Sequence, residues 1–249
     1  MSQKKINSLI KACKYSFITN QKNYCGQNNA FSEFRDFIEN PVPSKIQRIE
    51  SLFSSFEALF PYLKLISKAN NLSPLDEKTI EAYWLGSDLL EKVSLEETKK
   101  MILEEFAKPG LLPKNIAEKK AELIPENSVS HHSFHVLYIN FVTKKVEPVL
   151  KNLDNCLISW GKIKEVQENF LLVNSTELLF EFNEFKLKEK TKKIDSGLVF
   201  SPEKNSFVSV HWNFAVEQID KTELHNLKKF TEKNINAVNS LLNKGLLFR

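Results

Sequence analysis

At 249 residues the chain has room for one large core or two ordinary ones, and with 42% hydrophobic and 27% charged residues it has a folding composition rather than a disordered one. Its 35 basic and 31 acidic residues leave a formal net charge of only +4, which argues against nucleic acid or a membrane surface as the partner. No apolar run approaches the ~18 to 20 residues that span a bilayer. Met1–Ile6 lacks the apolar stretch of a signal peptide. The cysteines, Cys13, Cys25 and Cys156, are an odd and scattered set, so a disulfide framework is not expected and a reducing, cytoplasmic setting is.

In chain order, Lys4 to Thr19 reads as a helix with Ile6, Leu9, Ile10, Cys13 and Phe17 on one stripe. The Asn23–Gln27 segment is a turn by its Asn and Gly content and carries Cys25, where a thiol has the access that reactive chemistry needs. Phe31 to Ile38 is a second helix. Ser44 opens a long helical pattern that Pro61 must kink or split. Ser73–Pro74 begins another helix, with Gly86 expected inside it at a point of close packing. Ser94 and Glu97 have the spacing of a capping box for a helix through Phe106, and a lysine-rich helix follows to about Leu123.

Ser130–Phe141 breaks this pattern by placing His131, His132 and His135 within five residues. As a helix it would put His131 and His135 one turn apart at metal-ligand spacing; as a strand, His131 and His135 share a face. The β-branched and aromatic residues that follow lean toward strand, and both conformations remain open. No acidic residue falls in the motif, which sets it apart from the His-Glu-x-x-His arrangement of zinc proteases.

Lys144 to Asn155, with Pro148, reads as a domain boundary. Beyond it the periodicity shortens to two, predicting strands over Trp160–Val166, Phe170–Val173, Glu177–Phe182 and Phe207–Trp212. Lys186–Lys193, with five lysines and one glutamate, reads as a solvated edge strand or loop. Asp220 and Glu223 form a capping box for a final helix to about Leu242. The expected fold is α+β: an N-terminal all-α domain (residues 1–150), then a small OB-like β-barrel with a C-terminal helix (residues 151–249).

Two segments of the second half carry a resemblance. Cys156, Leu157, Gly161, Lys162 and Ile163, followed by Val208, Val210, His211, Phe214, Ala215, Val216, Ile219 and Asp220 before a closing helix, resemble the small hydrogenase-maturation chaperones of the HypC/HupF type. The resemblance covers about Asn155 to Arg249. It departs at Trp160 and Asn213, where that family has proline and glycine, and in the internal position of its cysteine. It implies a chaperone-like role in metallocentre assembly, with Cys156 as thiolate ligand of a transiently held iron fragment and His211 beside it. The implied partner is a protein, a metalloenzyme precursor or a maturation factor. A soft sulfur suits low-spin iron. On this reading Cys156 opens the first strand, is reachable from a cleft, and has its ionisation favoured by a cationic His211.

Cys25, His131, His132 and His135 are expected to come together as a second set of metal or proton-transfer groups, so the candidate ligands are Cys156, His211, His131, His132, His135 and Cys25. Two alternatives stand beside the chaperone reading: an adaptor that uses the barrel as scaffold and holds no metal, and an enzyme with Cys25 as nucleophile and a neighbouring histidine as base.

Overall fold

A computed structural model describes residues 3–246. The first half is helical: α1 (Gln3–Gln21), α2 (Ala30–Glu39), α3 (Ile46–Ser54), α4 (Phe60–Asn70), α5 (Glu77–Trp84), α6 (Leu95–Met101), α7 (Lys114–Glu122), α8 (His132–Phe134) and α9 (Leu150–Cys156). Pro61 splits its helix rather than kinking it. The chain leaves helical geometry after Ser54 and re-enters at Phe60, which puts Pro61 in the first turn of α4, where no backbone donor is needed. The cap of α5 is Asp76, whose carboxylate accepts from the Lys78 backbone at 3.0 Å, three residues beyond the expected Ser73 start. Gly86 lies past the end of α5 and not inside a helix. Its φ of +88° is left-handed, and a Cβ there would strike the ring of Phe230, so the expected close packing is present.

The histidine-rich segment is helical. After α8 it widens into a π-helical turn, His135–Ile139, which stops at Asn140 with φ +58°. Residues 128–139 are buried throughout. A segment covered on every side carries no amphipathic period, and its β-branched content reflected that burial rather than a strand.

The strands are β1 (Ser159–Val166), β2 (Phe170–Glu181), β3 (Glu184–Asp195), β4 (Phe207–His211) and β5 (Phe214–Ile219), closed in the order β1-β2-β3-β5-β4. All pairings are antiparallel except β3 with β5, which run parallel and meet at Asp195 and Phe214. The two short strands expected between Phe170 and Phe182 are one, paired along its length with β3, the lysine-rich run. Gly161 is where β1 and β2 approach: an added Cβ would collide with Val173 and the Asn174 carbonyl. Helix α10 (Lys221–Asn243) starts at the Asp220–Glu223 capping box, present in both directions.

Cys156 does not open a strand. It is the last residue of α9, and β1 begins at Ser159. Packing also crosses the expected boundary. One apolar core runs from Ile6 on α1 through Val146 and Leu153 to Leu241 on α10, and a smaller one, including Ile163, Val173, Val208 and Ala215, fills the barrel. Among the described residues no helix is long and apolar enough to cross a membrane.

Candidate metal centre

Three distant parts of the chain converge where the helices meet the barrel. The C-terminal end of α9 is pinned by consecutive residues. The Asp154 carboxylate accepts from the Leu178 backbone of β2 at 2.7 Å and pairs with Lys192 of β3 at 3.3 Å. The Asn155 carbonyl accepts from the Trp212 backbone at 2.7 Å, and its side chain accepts from Asn213 at 3.2 Å. Trp212 and Asn213 form the two-residue turn between β4 and β5, both with positive φ (52° and 56°), the geometry that continues the right-handed twist of a hairpin. Asparagine tolerates that conformation and tryptophan does not, so Trp212 is held under strain, packed on Tyr24 with ring centroids 4.6 Å apart. This clasp sets Cys156 against His211, the residue just before the turn.

His132, Cys156 and His211 each offer one ligand atom, and the three atoms lie within 4.8 Å of one another. Cys156 Sγ is 3.8 Å from His211 Nε2 and 3.9 Å from His132 Nε2. Bonds of about 2.0 Å to imidazole and 2.3 Å to thiolate put tetrahedral N and S ligands roughly 3.5 Å apart, so each sulfur–nitrogen pair needs only a few tenths of an ångström of contraction around an ion. His211 is already oriented for it. Its Nδ1 lies 3.0 Å from the Tyr15 carbonyl, a bond that places the proton there and leaves Nε2 with its lone pair. Tyr15 is held by its own hydroxyl, 2.9 Å from Glu217 and 3.0 Å from Ser209. His132 Nδ1 faces the Tyr83 hydroxyl at 3.1 Å, and its Nε2 lies 2.9 Å from the Cys156 carbonyl. Ligation through Nε2 moves the proton to Nδ1, and the Tyr83 oxygen can accept it because a phenol serves in either role. Trp84 packs against both imidazoles, with centroids 4.6 Å from His132 and 5.9 Å from His211. The residues present therefore fit an ion bound by one thiolate and two imidazoles.

The family described as "Family of unknown function (DUF6390)" matches residues 9–245, which takes in the helical half and the barrel alike. The chain belongs to the DUF6390 family. No curated protein and no solved structure matches it.

The remaining sequence candidates of this DUF6390 chain divide by role. His131 is structural. Its Nδ1 caps α8 by accepting from the Ser133 backbone at 3.3 Å, and its Nε2 lies 3.3 Å from the Trp84 carbonyl, which uses both ring nitrogens. The His131–His135 pairing expected of a helix is thus not the ligand pair, and His132 faces the centre instead. His135 lies one π-turn on, its ring 6.4 Å from that of His132, with Nδ1 buried and unpartnered by protein. Cys25, on the α1–α2 loop, shares a small cavity with His135, Cys156 and Trp212. Tyr15, Tyr83, Trp84 and Trp212, which orient the centre, carried no signal in the sequence beyond being aromatic.

The electrostatics differ from expectation. Burial holds His211 down to about 4 and His132 well below the usual imidazole range, so neither is the cation expected beside Cys156. Burial raises the Cys156 thiol, and the nearby Cys25 raises it further. Cys156 is only 6% exposed, which corrects the expectation of a thiol open to a cleft. Cys25 is pushed up to about 11, chiefly by burial. A protonated thiol and neutral imidazoles in a buried site are poor for nucleophilic chemistry and suited to ion binding, which itself expels the thiol proton.

Proposed function

We propose that the chain is a metal-binding accessory protein, with His132, Cys156 and His211 holding one soft or borderline transition ion, iron in the first instance. The observation that carries this reading is the convergence of those three ligand atoms within 4.8 Å, from an α-helix, the end of another and a barrel strand. One thiolate with two imidazoles suits iron, zinc or copper better than magnesium or calcium. The role in metallocentre assembly, with a metalloenzyme precursor or maturation factor as protein partner, rests on the resemblance of Asn155–Arg249 to hydrogenase-maturation chaperones. It gains from Cys156 and His211 being two of the three ligands. Release to a partner requires a local opening, since Cys156 is buried.

Elemental analysis of anaerobically purified protein tests the first part. The expected result is about one ion per chain, falling at least roughly tenfold in Cys156→Ser and His211→Ala and unchanged in His131→Gln. Full retention in Cys156→Ser overturns the ligand assignment. Transfer from iron-loaded protein to a metal-free recipient enzyme tests the second part, and a protein that never yields its iron overturns the assembly role.

The burial of Cys156 favours a second reading, an adaptor that holds no metal and packs its cysteine and histidines as core. It predicts no ion under any loading condition and an unaltered fold in Cys156→Ser. The cysteine–histidine enzyme has Cys25 and His135 on one cavity in its favour, but a thiol raised rather than lowered, which is poor for a nucleophile.

A further inference from the structure

Beside Cys156, one of the three ligands, lies a cavity of about 10 Å³ that is also lined by Cys25, His135 and Trp212 among others. That is near the least volume that holds one water. His135 Nδ1, in its wall, is buried without a hydrogen-bond partner in the protein, and Trp212 Nε1 has only the Cys156 sulfur. Buried polar atoms are almost always partnered, and an orphan on a water-sized cavity calls for a ligand. His135 is held neutral by burial, down to about 3, so Nδ1 meets the cavity as an uncharged donor or acceptor. Cys25 is half-buried, as are the lining residues Tyr24, Ala58, Thr143 and Trp212.

We infer that the metal centre keeps an open coordination position, filled by a single exchangeable water that Cys156 shares with His135 and Trp212, and is not a closed four-ligand site. This rests on the ligand assignment proposed above. Three protein ligands with a fourth position open to solvent is the arrangement of sites that exchange or activate a ligand, whereas a purely structural site is closed by four side chains. Among the described residues of the cavity wall, Cys25 is the second thiol that could close it. His132, Cys156 and His211 meet within 4.8 Å, and Cys25 does not join that group. His135 and Trp212 are then positioning residues for the bound water, and Cys25 lines the same cavity.

Cobalt(II)-loaded protein provides the test. Its thiolate-to-cobalt charge-transfer band counts the sulfur ligands, and broadening of its electron paramagnetic resonance in water enriched in oxygen-17 reports a cobalt-bound solvent oxygen. The expected result is one thiolate, clear broadening, and an unchanged charge-transfer band in Cys25→Ser. His135→Leu should keep the cobalt stoichiometry and the single thiolate band but lose the broadening, with His135→Gln restoring it. A wild-type spectrum indifferent to oxygen-17, or a Cys25→Ser protein that loses half of the charge-transfer intensity, overturns the open position while leaving the ligand set standing. Failure to bind cobalt at all overturns both.

Discussion

Tyr83 shows how much of the candidate centre depends on single atoms outside the ligand set. Its hydroxyl is the protein partner of His132 Nδ1, 3.1 Å away, and must reverse its role when Nε2 binds an ion. Tyr83→Phe removes that partner and fills nearly the same volume. The expected outcome is a roughly 10- to 100-fold weaker metal affinity, measured by competition with a chelator. An orphaned buried imidazole nitrogen should also cost about 1–3 kcal/mol in denaturant unfolding. Lys120 offers a test free of the metal. Its amine is buried, donates to the Tyr138 carbonyl at 2.7 Å, and burial lowers it to about 8. Because the folded value lies below the unfolded one of about 10.4, the unfolded chain binds more protons between these two pH values. The burial cost is therefore fully present below pH 8 and is relieved as pH rises from about 8 toward 10. Wild-type stability should climb across that interval relative to Lys120→Met; parallel pH profiles would contradict it.

At the scale of elements, the helices and strands hold the centre through a few contacts that have no redundancy. Gly86 joins α5 to α10 by letting the backbone meet Phe230 in a left-handed conformation. Gly86→Ala meets both a conformational penalty and a steric one, and should cost about 2–5 kcal/mol in urea or guanidinium unfolding. Asp220→Ala removes only the helix cap, where the carboxylate accepts from the Thr222 and Glu223 backbones at 2.7 and 2.8 Å. Its cost should be nearer 1 kcal/mol, with metal content untouched. Reversal of that order would mean that α10 is anchored by its cap more than by its packing.

For the whole molecule, the apolar core continuous from α1 through α9 to α10 has a consequence for cooperativity. Barrel and helices should melt together in one calorimetric transition, with equal calorimetric and van't Hoff enthalpies. Because ion binding by residues from α8, α9 and β4 requires all three in place, saturating metal should raise Tm, by about 2.7 kcal/mol of added stability when free metal is 100 times Kd. Two separate transitions, with metal acting on neither, would instead favour independent halves and a structural role for the cysteine and histidines.

Much of the architecture follows from the residues alone, because its signals are local. The 3.6-residue stripe of α1, the Asp220–Glu223 box and the strand at Phe207–His211 each depend on neighbours a few positions away, and each element appears where the spacing places it, although the alternation points to a half-buried strand and Val208 to His211 are buried on both faces. Local reasoning went astray where burial is two-sided or a turn intervenes: at residues 128–139, whose period is erased by contacts on all sides, and at Gly86, whose left-handed turn lies just beyond a helix. Of the candidate centre, sequence supplied the residue types, with Cys156, His211 and the histidine cluster all marked. Only the tertiary structure decided that His132 faces Cys156 while His131, with extended backbone, caps the helix that His132 opens. It also decided the ionisation states, because burial by Trp84, Tyr83 and the core arises from segments that no spacing along the chain connects.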